Sequence, residues 1–332
     1  MTFGARIAGL GMDVPVRIVT NKDLEAVVDT TDDWIVTRTG IHERRIVADG
    51  QSTGDLAVKA CEDALRSAGI TIADIEMIVL STCTGDTNML PATATFVQTA
   101  LGASHIPAFD ISAACSGFVY GLDIAHQFIA TGRCRRILVV GAEAMSRVVD
   151  WTDRASCVLF GDGAGAAILK PVQSGYGVLY SRLYADGSHA DILNIQGGGS
   201  RQPFTKAVLD NKSHFIHMQG RAVFKVAVTA VLDALQTALT AIGRTPEDLA
   251  LFIPHQANLR IVEYVREKMG LTEAQCFTNL QQYGNTSAAS IPIALCEAYA
   301  QGRICDGDLI ALVGFGAGFT WGVNLIRWGG YS

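Results

Sequence analysis

Three polar residues of this chain, Cys115, His255 and Asn285, have the types and surroundings that nucleophilic chemistry at a carbonyl group requires. Cys115 follows a short apolar segment, residues 106–109, and precedes an amphipathic helical pattern over residues 118–129. The sequence therefore predicts Cys115 at a strand-to-helix turn, where the positive end of the helix dipole favours the reactive thiolate. The alternative is a packed thiol, because free cysteine is among the most buried residue types.

His255 and Asn285 are the residues that could assist such a nucleophile. His255 comes directly after an apolar strand pattern, residues 249–253, and Pro254 ends the strand pairing there. The imidazole is thus predicted in a loop, where functional groups concentrate. Asn285 lies among small residues that lead into another helical pattern. The alternatives are a hydrogen-bonded structural histidine and a helix-capping asparagine.

An internal repeat connects these positions and predicts the elements that hold them. Ile-Ala-Thr-Gly-Arg at residues 129–133 is echoed by Tyr-Ala-Gln-Gly-Arg at residues 299–303, an offset of 170. Each copy follows an apolar helical stretch and precedes a strand that ends in glycine. The same offset pairs Cys115 with Asn285, so we expect both at equivalent helix starts facing one cavity. Strands that alternate with helices in two similar halves predict a duplicated α/β fold.

The composition limits the class of protein. Apolar residues make up 49% of the 332 residues and charged residues 17%, which indicates a large buried core. A net charge of −6 and a pI near 5.6 argue against a nucleic-acid-binding protein. Eight cysteines without a CxxC pair or metal-ligand spacing indicate a reduced, cytoplasmic protein without a metal site. The N-terminus has no signal-like segment and no apolar run approaches membrane-spanning length, so no membrane association is expected.

The three motifs resemble those of β-ketoacyl-[acyl-carrier-protein] synthase III, a family of the thiolase superfamily. They are Asp-Ile-Ser-Ala-Ala-Cys-Ser-Gly-Phe, Pro-His-Gln-Ala-Asn-Leu-Arg and Gly-Asn-Thr-Ser-Ala-Ala-Ser, at residues 110–118, 254–260 and 284–290. The resemblance continues at residues 32–41, 152–154, 160–166 and 315–322, and so spans nearly the whole chain. It implies a thiolase-like fold, in which two βαβαβαββ halves, here residues 1–172 and 173–332, form five α-β-α-β-α layers. It also implies a homodimer.

The resemblance implies a condensing reaction that initiates type II fatty-acid synthesis. A short-chain acyl-CoA, with acetyl-CoA as the expected primer, acylates Cys115, and decarboxylation of malonyl-acyl carrier protein supplies the carbanion that forms 3-oxoacyl-acyl carrier protein. His255 and Asn285 are expected to donate hydrogen bonds to the developing enolate. The backbone N–H groups of Cys115, Ala317 and Gly318 are expected to form the oxyanion hole. The family uses no cofactor beyond the coenzyme A thioester, which is a substrate.

The resemblance also marks substrate-binding positions. Trp34 and Arg154 match a pair that stacks on the coenzyme A adenine, and Arg38 matches a phosphate contact. Further substrate contacts are expected at Gly220, Asn258, Phe315 and Leu90.

Leu90 matches a position that reaches across the dimer interface and caps the partner's primer pocket. A leucine there permits a primer wider than acetyl. Carrier-protein docking is predicted at polar and basic residues near the cavity, with a plain solvated basic face as the alternative. These residues are Gln256, Arg260, Lys225, Lys268 and Arg221.

Several other functions fit the sequence less well. The glycine-rich residues 161–165 and 314–318 lack the strand, GxGxxG, helix order of a dinucleotide site. Thiolases carry a second cysteine near the last glycine loop, chain-elongating synthases carry histidine at the position of Asn285, and non-catalytic chain-length factors lack the nucleophile. A related acyltransferase or ketosynthase of secondary metabolism remains an open alternative.

Overall fold

The computed structural model describes residues 4–173 and 175–330. Residues 1–3, 174, 331 and 332, which belong to the two predicted halves, lie outside the described residues. The strands of the first half are β1 (Gly4–Asp13), β2 (Ile18–Thr20), β3 (Glu43–Arg45), β4 (Met77–Ser81), β5 (Ala108–Ile111), β6 (Ile137–Ala144) and β7 (Asp162–Val172). Its helices are α1 (Asn21–Glu25), α2 (Asp32–Thr39), α3 (Thr53–Ala68), α4 (Thr93–Ala100), α5 (Gly117–Ala130) and α6 (Arg154–Cys157).

The second half repeats the core of the first. Its strands are β8 (Gly177–Ala185), β9 (Leu193–Asn194), β10 (His217–Met218), β11 (Leu251–Pro254), β12 (Leu309–Gly316) and β13 (Thr320–Arg327). Its helices are α7 (Lys206–Asp210), α8 (Gly220–Ala241), α9 (Leu259–Met269), α10 (Leu280–Tyr283) and α11 (Ser290–Ala300). Short 3-10 turns occupy Ala114–Ser116 before α5 and Ser287–Ala289 before α11.

Two mixed sheets carry the duplication. The first has the order β1-β7-β6-β4-β5, and the second has the order β11-β12-β13-β8. Each sheet contains a parallel pair, β4 with β6 and β11 with β12, while the last strand of the half returns antiparallel. An isolated bridge between Phe252 and Cys276 stands where the first sheet has β5. The predicted boundary after residue 172 falls between β7 and β8.

The helices pack in the α-β-α-β-α order that the family resemblance implied. α3 packs on β1, β6 and β7, and α4 packs on β4 and β5, which covers the outer face of the first sheet. α5 contacts β4 and β6 of the first sheet and also β12 and β13 of the second, while α11 contacts β7 and β11. α8 covers β12 and β13 and carries α9 beside it. The two central helices therefore lie between the sheets.

Local sequence explains these elements. All residues of β6 and β12 are buried, as expected for strands covered by helices on both faces. α3 begins with a capping box between Ser52 and Asp55 and ends at Gly69, whose φ of 63° suits glycine. α8 contradicts the expectation that no apolar run approaches membrane-spanning length. By length and composition alone, its 22 residues would suffice to cross a membrane. Half of its apolar window is buried, in the core that it forms with β12 and β13.

The internal repeat does not pair Cys115 with Asn285. Ala130 and Ala300, which end α5 and α11, are 170 residues apart, but the helices have 14 and 11 residues. At the helix starts the offset is therefore 173, which pairs Ala114 with Ser287. These two residues have the same unusual backbone conformation, with φ of 45° and 49°. The predicted equivalence was wrong by three residues because α11 is shorter.

Candidate active site

Cys115, His255 and Asn285 line one cavity of about 690 Å³. The first half provides Cys115 from the turn before α5, and the second half provides His255 after β11 and Asn285 before α11. The three side chains converge because both turns lie between the two sheets and contact each other. The structure therefore brings together the three residues that the sequence predicted as a catalytic set.

Cys115 occupies the predicted position between a strand and a helix. Its side chain is buried at the N-terminus of α5, where the residue is 8% exposed. Burial raises the pKa of the Cys115 thiol to about 12, while the Ser287 hydroxyl lowers it and the Glu143 carboxylate raises it further. The thiol is therefore neutral in the resting site. The helix-dipole argument alone favoured the thiolate, and it omitted the larger effect of burial.

His255 is a neutral imidazole with one ring nitrogen directed into the cavity. Its Nδ1 lies 2.6 Å from Ser290 Oγ, and its Nε2 is buried without a hydrogen-bond partner in the described part of the chain. Burial lowers the pKa of His255 to about 3. Ser290 Oγ also accepts the Gln256 N–H at 3.4 Å. When Ser290 donates its hydroxyl hydrogen to Nδ1, Nδ1 is the acceptor nitrogen of the neutral ring. The ring hydrogen then lies on Nε2, which becomes a donor.

Asn285 presents a second donor to the same cavity. Its Oδ1 accepts the backbone N–H of Ser287 at 2.9 Å, so the amide orientation is determined. The NH₂ group has no hydrogen-bond partner among residues 4–173 and 175–330. Two backbone hydrogen bonds hold the residue, from Asn285 N–H to Leu159 at 2.8 Å and from Gly161 N–H to Asn285 at 3.1 Å. His255 Nε2–H and Asn285 Nδ2–H are therefore two donors suited to one oxygen.

The turn between β12 and β13 lies directly against Cys115. A Cβ atom added at Gly316 would lie 2.5 Å from the Cys115 backbone nitrogen, so only glycine allows this approach. Phe315 and Gly316 line the cavity, and Phe315 packs edge-on to the His255 ring with centroids 5.0 Å apart. Ala317 and Gly318 follow in the turn and are not among the cavity-lining residues within the described ranges. Their oxyanion-hole role stays a prediction.

The outer end of the cavity has the predicted aromatic and cationic groups. The Arg38 guanidinium lies 4.4 Å from the centre of the Trp34 ring, and that of Arg154 lies 4.7 Å from it. Trp34 and Arg38 line the cavity, whereas Arg154 reaches the ring from α6 and donates to the Asp29 carbonyl at 2.8 Å. Two guanidinium groups over one indole form a flat cationic surface that suits an adenine ring and its phosphates.

Gly220 and Asn258 also line the cavity. Gly220 begins α8. Asn258 caps α9 by accepting the Arg260 N–H at 2.9 Å, and it donates to the Arg38 carbonyl at 3.0 Å. Asn258 therefore has a structural task at the cavity wall in addition to its predicted substrate contact.

The predicted docking residues divide into two groups. Arg221 and Arg260 line the mouth of the cavity, and Lys225 and Lys268 are exposed on α8 and α9. Gln256 is not a docking residue, because it is 1% exposed and its amide donates to Pro254 at 2.7 Å inside the protein. Its position in the motif next to His255 reflects this internal bond.

Leu90 lies outside the cavity of its own chain. It is 82% exposed on the loop between β4 and α4, and the neighbouring Met89 is 68% exposed. The predicted contact with a primer pocket therefore requires a second copy of the chain.

Glu143, Ser287 and Ser290 are site residues that the sequence did not single out. The two serines lie inside the quoted Asn285 motif, but their partners come from distant segments. Glu143 is the one charged residue in β6, a strand that is otherwise apolar. A completely buried carboxylate is uncommon unless it has partners. A single glutamate within an apolar strand is therefore the signal by which the sequence could have revealed Glu143.

The chain is similar to proteins of one family over nearly its whole length. The family described as 3-Oxoacyl-[acyl-carrier-protein (ACP)] synthase III matches residues 109–187, and its C-terminal family matches residues 239–328. The Beta-ketoacyl-[acyl-carrier-protein] synthase III of Caldanaerobacter subterraneus subsp. tengcongensis is 51% identical over 326 residues, which cover 98% of each chain.

Solved structures show the same likeness. The 3-oxoacyl-[acyl-carrier-protein] synthase III of Aquifex aeolicus has a TM-score of 0.91 and 44% identity, covering 98% of this chain and 100% of that one. The priming β-ketosynthase of the R1128 polyketide pathway has a TM-score of 0.91 and 34% identity, covering 100% of this chain and 98% of that one. These matches confirm the predicted thiolase-like fold.

Proposed function

Since the chain belongs to the β-ketoacyl-[acyl-carrier-protein] synthase III family, and is thus an acyltransferase of fatty-acid synthesis, we propose that Cys115 is its acyl-accepting nucleophile. The observation that carries this assignment is the convergence of Cys115 with two unused donors, on His255 and Asn285, in one cavity. An acyl-CoA transfers its acyl group to the Cys115 sulfur and leaves as coenzyme A. The covalent intermediate divides one difficult step into two easier ones.

His255 and Asn285 act in the second step. Malonyl-acyl carrier protein loses CO₂, and negative charge develops on its thioester oxygen. His255 Nε2–H and Asn285 Nδ2–H donate to that oxygen, and each such donor stabilises the transition state by about 3 kcal/mol. A neutral His255 suits this task because it donates without first taking up a proton. The carbanion then attacks acyl-Cys115, and 3-oxoacyl-acyl carrier protein leaves. Backbone N–H groups of Cys115, Ala317 and Gly318 are proposed as the oxyanion hole of that step.

The cavity also supports the proposed substrate contacts. Trp34, Arg38 and Arg154 offer the cationic surface for the nucleotide end of coenzyme A. The pantetheine chain would pass Gly220 and Asn258 to reach Cys115. Around the mouth, four exposed basic residues attract an acidic carrier protein: Arg221, Lys225, Arg260 and Lys268.

A homodimer is supported by an open sheet edge. β5 is the last strand of the first sheet, and its four residues are all partly exposed. Nearby are three exposed apolar side chains, Leu90 at 82%, Met89 at 68% and Phe96 at 42%. An unpaired edge with apolar neighbours is a surface that proteins normally cover. A second copy of the same chain would cover both edges and bring Leu90 to its partner's cavity.

The proposal includes a cytoplasmic location and no requirement for a cofactor. The location is supported by the eight cysteines, which are all unpaired. The second claim is supported by the reaction itself, because the substrate thioesters and the protein side chains supply all the groups that it needs. Cell fractionation tests the location, and a secreted or membrane-bound protein would contradict it.

Intact mass measurement tests the central assignment. The protein is mixed with acetyl-, butyryl-, isobutyryl- or octanoyl-CoA, in the presence of a chelator, and then with malonyl-acyl carrier protein at low and high salt. We expect acyl adducts that are absent in Cys115→Ala, that malonyl-acyl carrier protein discharges, and whose discharge slows at high salt. No adduct with any primer would refute Cys115 as the acyl acceptor. Acylation without malonyl-dependent discharge would favour a secondary-metabolic acyltransferase, which the likeness to the R1128 priming enzyme makes the second candidate.

A further inference from the structure

A buried carboxylate lies beneath the nucleophile and has no part in the mechanism above. Glu143 is completely buried in β6, and its oxygens accept from the backbone N–H groups of Cys83 and Thr84. They also accept from four side-chain groups, the hydroxyls of Thr82, Thr84 and Ser287 and the thiol of Cys83. The Ser287 hydroxyl donates to Oε1 at 2.9 Å, and the Cys83 thiol donates to the same oxygen at 3.0 Å. The carboxylate thus reaches from the first half of the fold to the turn that carries Asn285.

Ser287 connects this carboxylate to Cys115. Its hydroxyl is hydrogen-bonded to Glu143 and lies 3.6 Å from the Cys83 sulfur. The turn that begins with Ser287 packs against the turn that carries Cys115, and the Ser287 hydroxyl lowers the pKa of the Cys115 thiol. The Ser287 backbone has a φ of 49°, a conformation that a serine rarely adopts. That strain persists because the Ser287 N–H is bonded to Asn285 Oδ1. The hydroxyl is thereby held at the Glu143 carboxylate, next to the turn that carries Cys115.

The first half-reaction requires a proton acceptor inside the site. Burial and the Glu143 charge keep the Cys115 thiol protonated, with its pKa raised to about 12. The titratable groups around it are Glu143 and Cys83 from the first half and His255 from the second. His255 resists a proton, because burial lowers its pKa to about 3 and Ser290, not a carboxylate, contacts its Nδ1. Glu143 is the one carboxyl group of this set, and a hydrogen bond already joins it to Ser287.

We propose that Ser287 and Glu143 form a proton relay that deprotonates Cys115 when acyl-CoA binds, an inference that rests on the proposed role of Cys115 as nucleophile. The thiol proton passes to Ser287 Oγ while the Ser287 hydrogen passes to Glu143 Oε1. The sulfur then forms its bond to the acyl carbon, and the bond to the coenzyme A sulfur breaks. The departing thiolate takes a proton back through the same path, which leaves coenzyme A as a thiol and Glu143 ionised again. In this relay Ser287 takes the proton from the reacting thiol, and Glu143 acts through Ser287 as a positioning and proton-holding residue.

Ser287→Ala tests the relay with little structural disturbance. The equivalent residue of the first half is already an alanine, Ala114, with a φ of 45°. Acylation by acetyl-CoA is measured in single turnovers by rapid quench and mass, from about pH 6 to about pH 8. We expect the variant to be slower by about 10²-fold, the usual size of a general-base effect. Its rate should rise about tenfold per pH unit, because it then depends on the thiolate fraction, while the wild-type rate changes less.

Glu143→Gln is the second variant, and Asp162→Asn is its matched control. Asp162 is also completely buried and accepts from Ser146, but it is not part of the network beneath Cys115. Glu143→Gln should show the same slow and pH-dependent acylation as Ser287→Ala. Asp162→Asn should lose thermal stability and keep the wild-type pH profile.

The second half-reaction separates a relay from a structural role. Once Cys115 carries an acyl group it has no proton to lose, so variants that were acylated in advance should condense with malonyl-acyl carrier protein at the wild-type rate. The relay is overturned if Ser287→Ala leaves acylation or its pH profile unchanged. It is also overturned if both half-reactions slow equally, or if Asp162→Asn shows the same pH profile as Glu143→Gln. Acylation of the wild-type protein is measured first, because the absence of an acyl adduct would refute the assignment of the nucleophile and not the relay.

Discussion

His255 is a buried base without an acidic partner, and this determines how acid affects the folded protein. Its pKa is lowered from 6.5 to about 3 by burial, so the unfolded chain binds a proton at pH values where the folded chain does not. Stability therefore rises with pH between about 3 and 6.5 and is lost as the pH falls through this window. At pH 5 the loss from this residue amounts to about 2 kcal/mol relative to neutral pH.

Denaturant unfolding at pH 7 and pH 5 checks this expectation. His255→Asn removes the titrating group, so its free energy of unfolding should decrease less between the two pH values than that of the wild type, by about 2 kcal/mol. His105→Asn is the control, because His105 is exposed and its φ of 60° suits asparagine. Equal acid sensitivity of His255→Asn and the wild type would contradict the buried neutral state.

At this scale the sequence predicts some of the site residues and not others. Cys115, His255 and Asn285 stand in distinctive motifs, because the chemistry needs those residue types at strand ends and helix starts. Glu143 and Ser287 gain their roles from a contact between positions 144 residues apart. A pattern read along the chain does not contain that contact.

The turn that follows β12 shows how elements position the site. Gly316 lies so close to Cys115 that a Cβ would come within 2.5 Å of the Cys115 nitrogen. Gly316→Ala should push the turn and the nucleophile apart. A displacement of about 1 Å suffices to slow such a reaction by about 10²-fold, so acylation should fall by at least that factor.

Single-turnover acylation and thermal unfolding measure this effect. Gly199→Ala is the matched control, because nothing lies within 4 Å of a Cβ added there. It should leave both measurements near the wild-type values. Acylation of Gly316→Ala at the wild-type rate would show that the approach of the turn to Cys115 is not needed.

The lengths of elements set the limit of the repeat argument. The duplication correctly predicted two similar halves, since both contain the same order of helices and buried strands. It misaligned the functional turns, because α11 is three residues shorter than α5 while the echoed motifs lie at their C-terminal ends. The geometric equivalent of Ala114 is Ser287, and only backbone angles reveal it. The prediction of Gln256 as a docking residue was wrong for a related reason, since its burial depends on how β11 and the segment after it pack.

For the whole molecule, the sequence indicates the layers within a chain better than the contacts between chains. The α-β-α-β-α order was implied by the family resemblance, and the apolar strands agree with it because they must be covered on both faces. Leu90 carries no such signal, because its expected contact lies on another copy. An exposed leucine by itself is ordinary. Only together with the open β5 edge and the exposed Met89 does it indicate an interface.

Mixed dimers test whether Leu90 acts across that interface. In a Leu90→Phe homodimer the larger side chain should narrow each primer pocket, so the rate with isobutyryl-CoA should fall relative to acetyl-CoA. In a dimer of one Leu90→Phe chain and one Cys115→Ala chain, the only nucleophile lies in the Leu90→Phe chain, and its pocket is capped by the partner subunit's unchanged leucine. This mixed dimer should regain the wild-type ratio of the isobutyryl-CoA rate to the acetyl-CoA rate. Two different affinity tags purify the mixed dimer, and light scattering confirms the number of subunits. If the mixed dimer keeps the narrowed preference, residue 90 acts within its own chain, and a monomer by light scattering would refute the dimer itself.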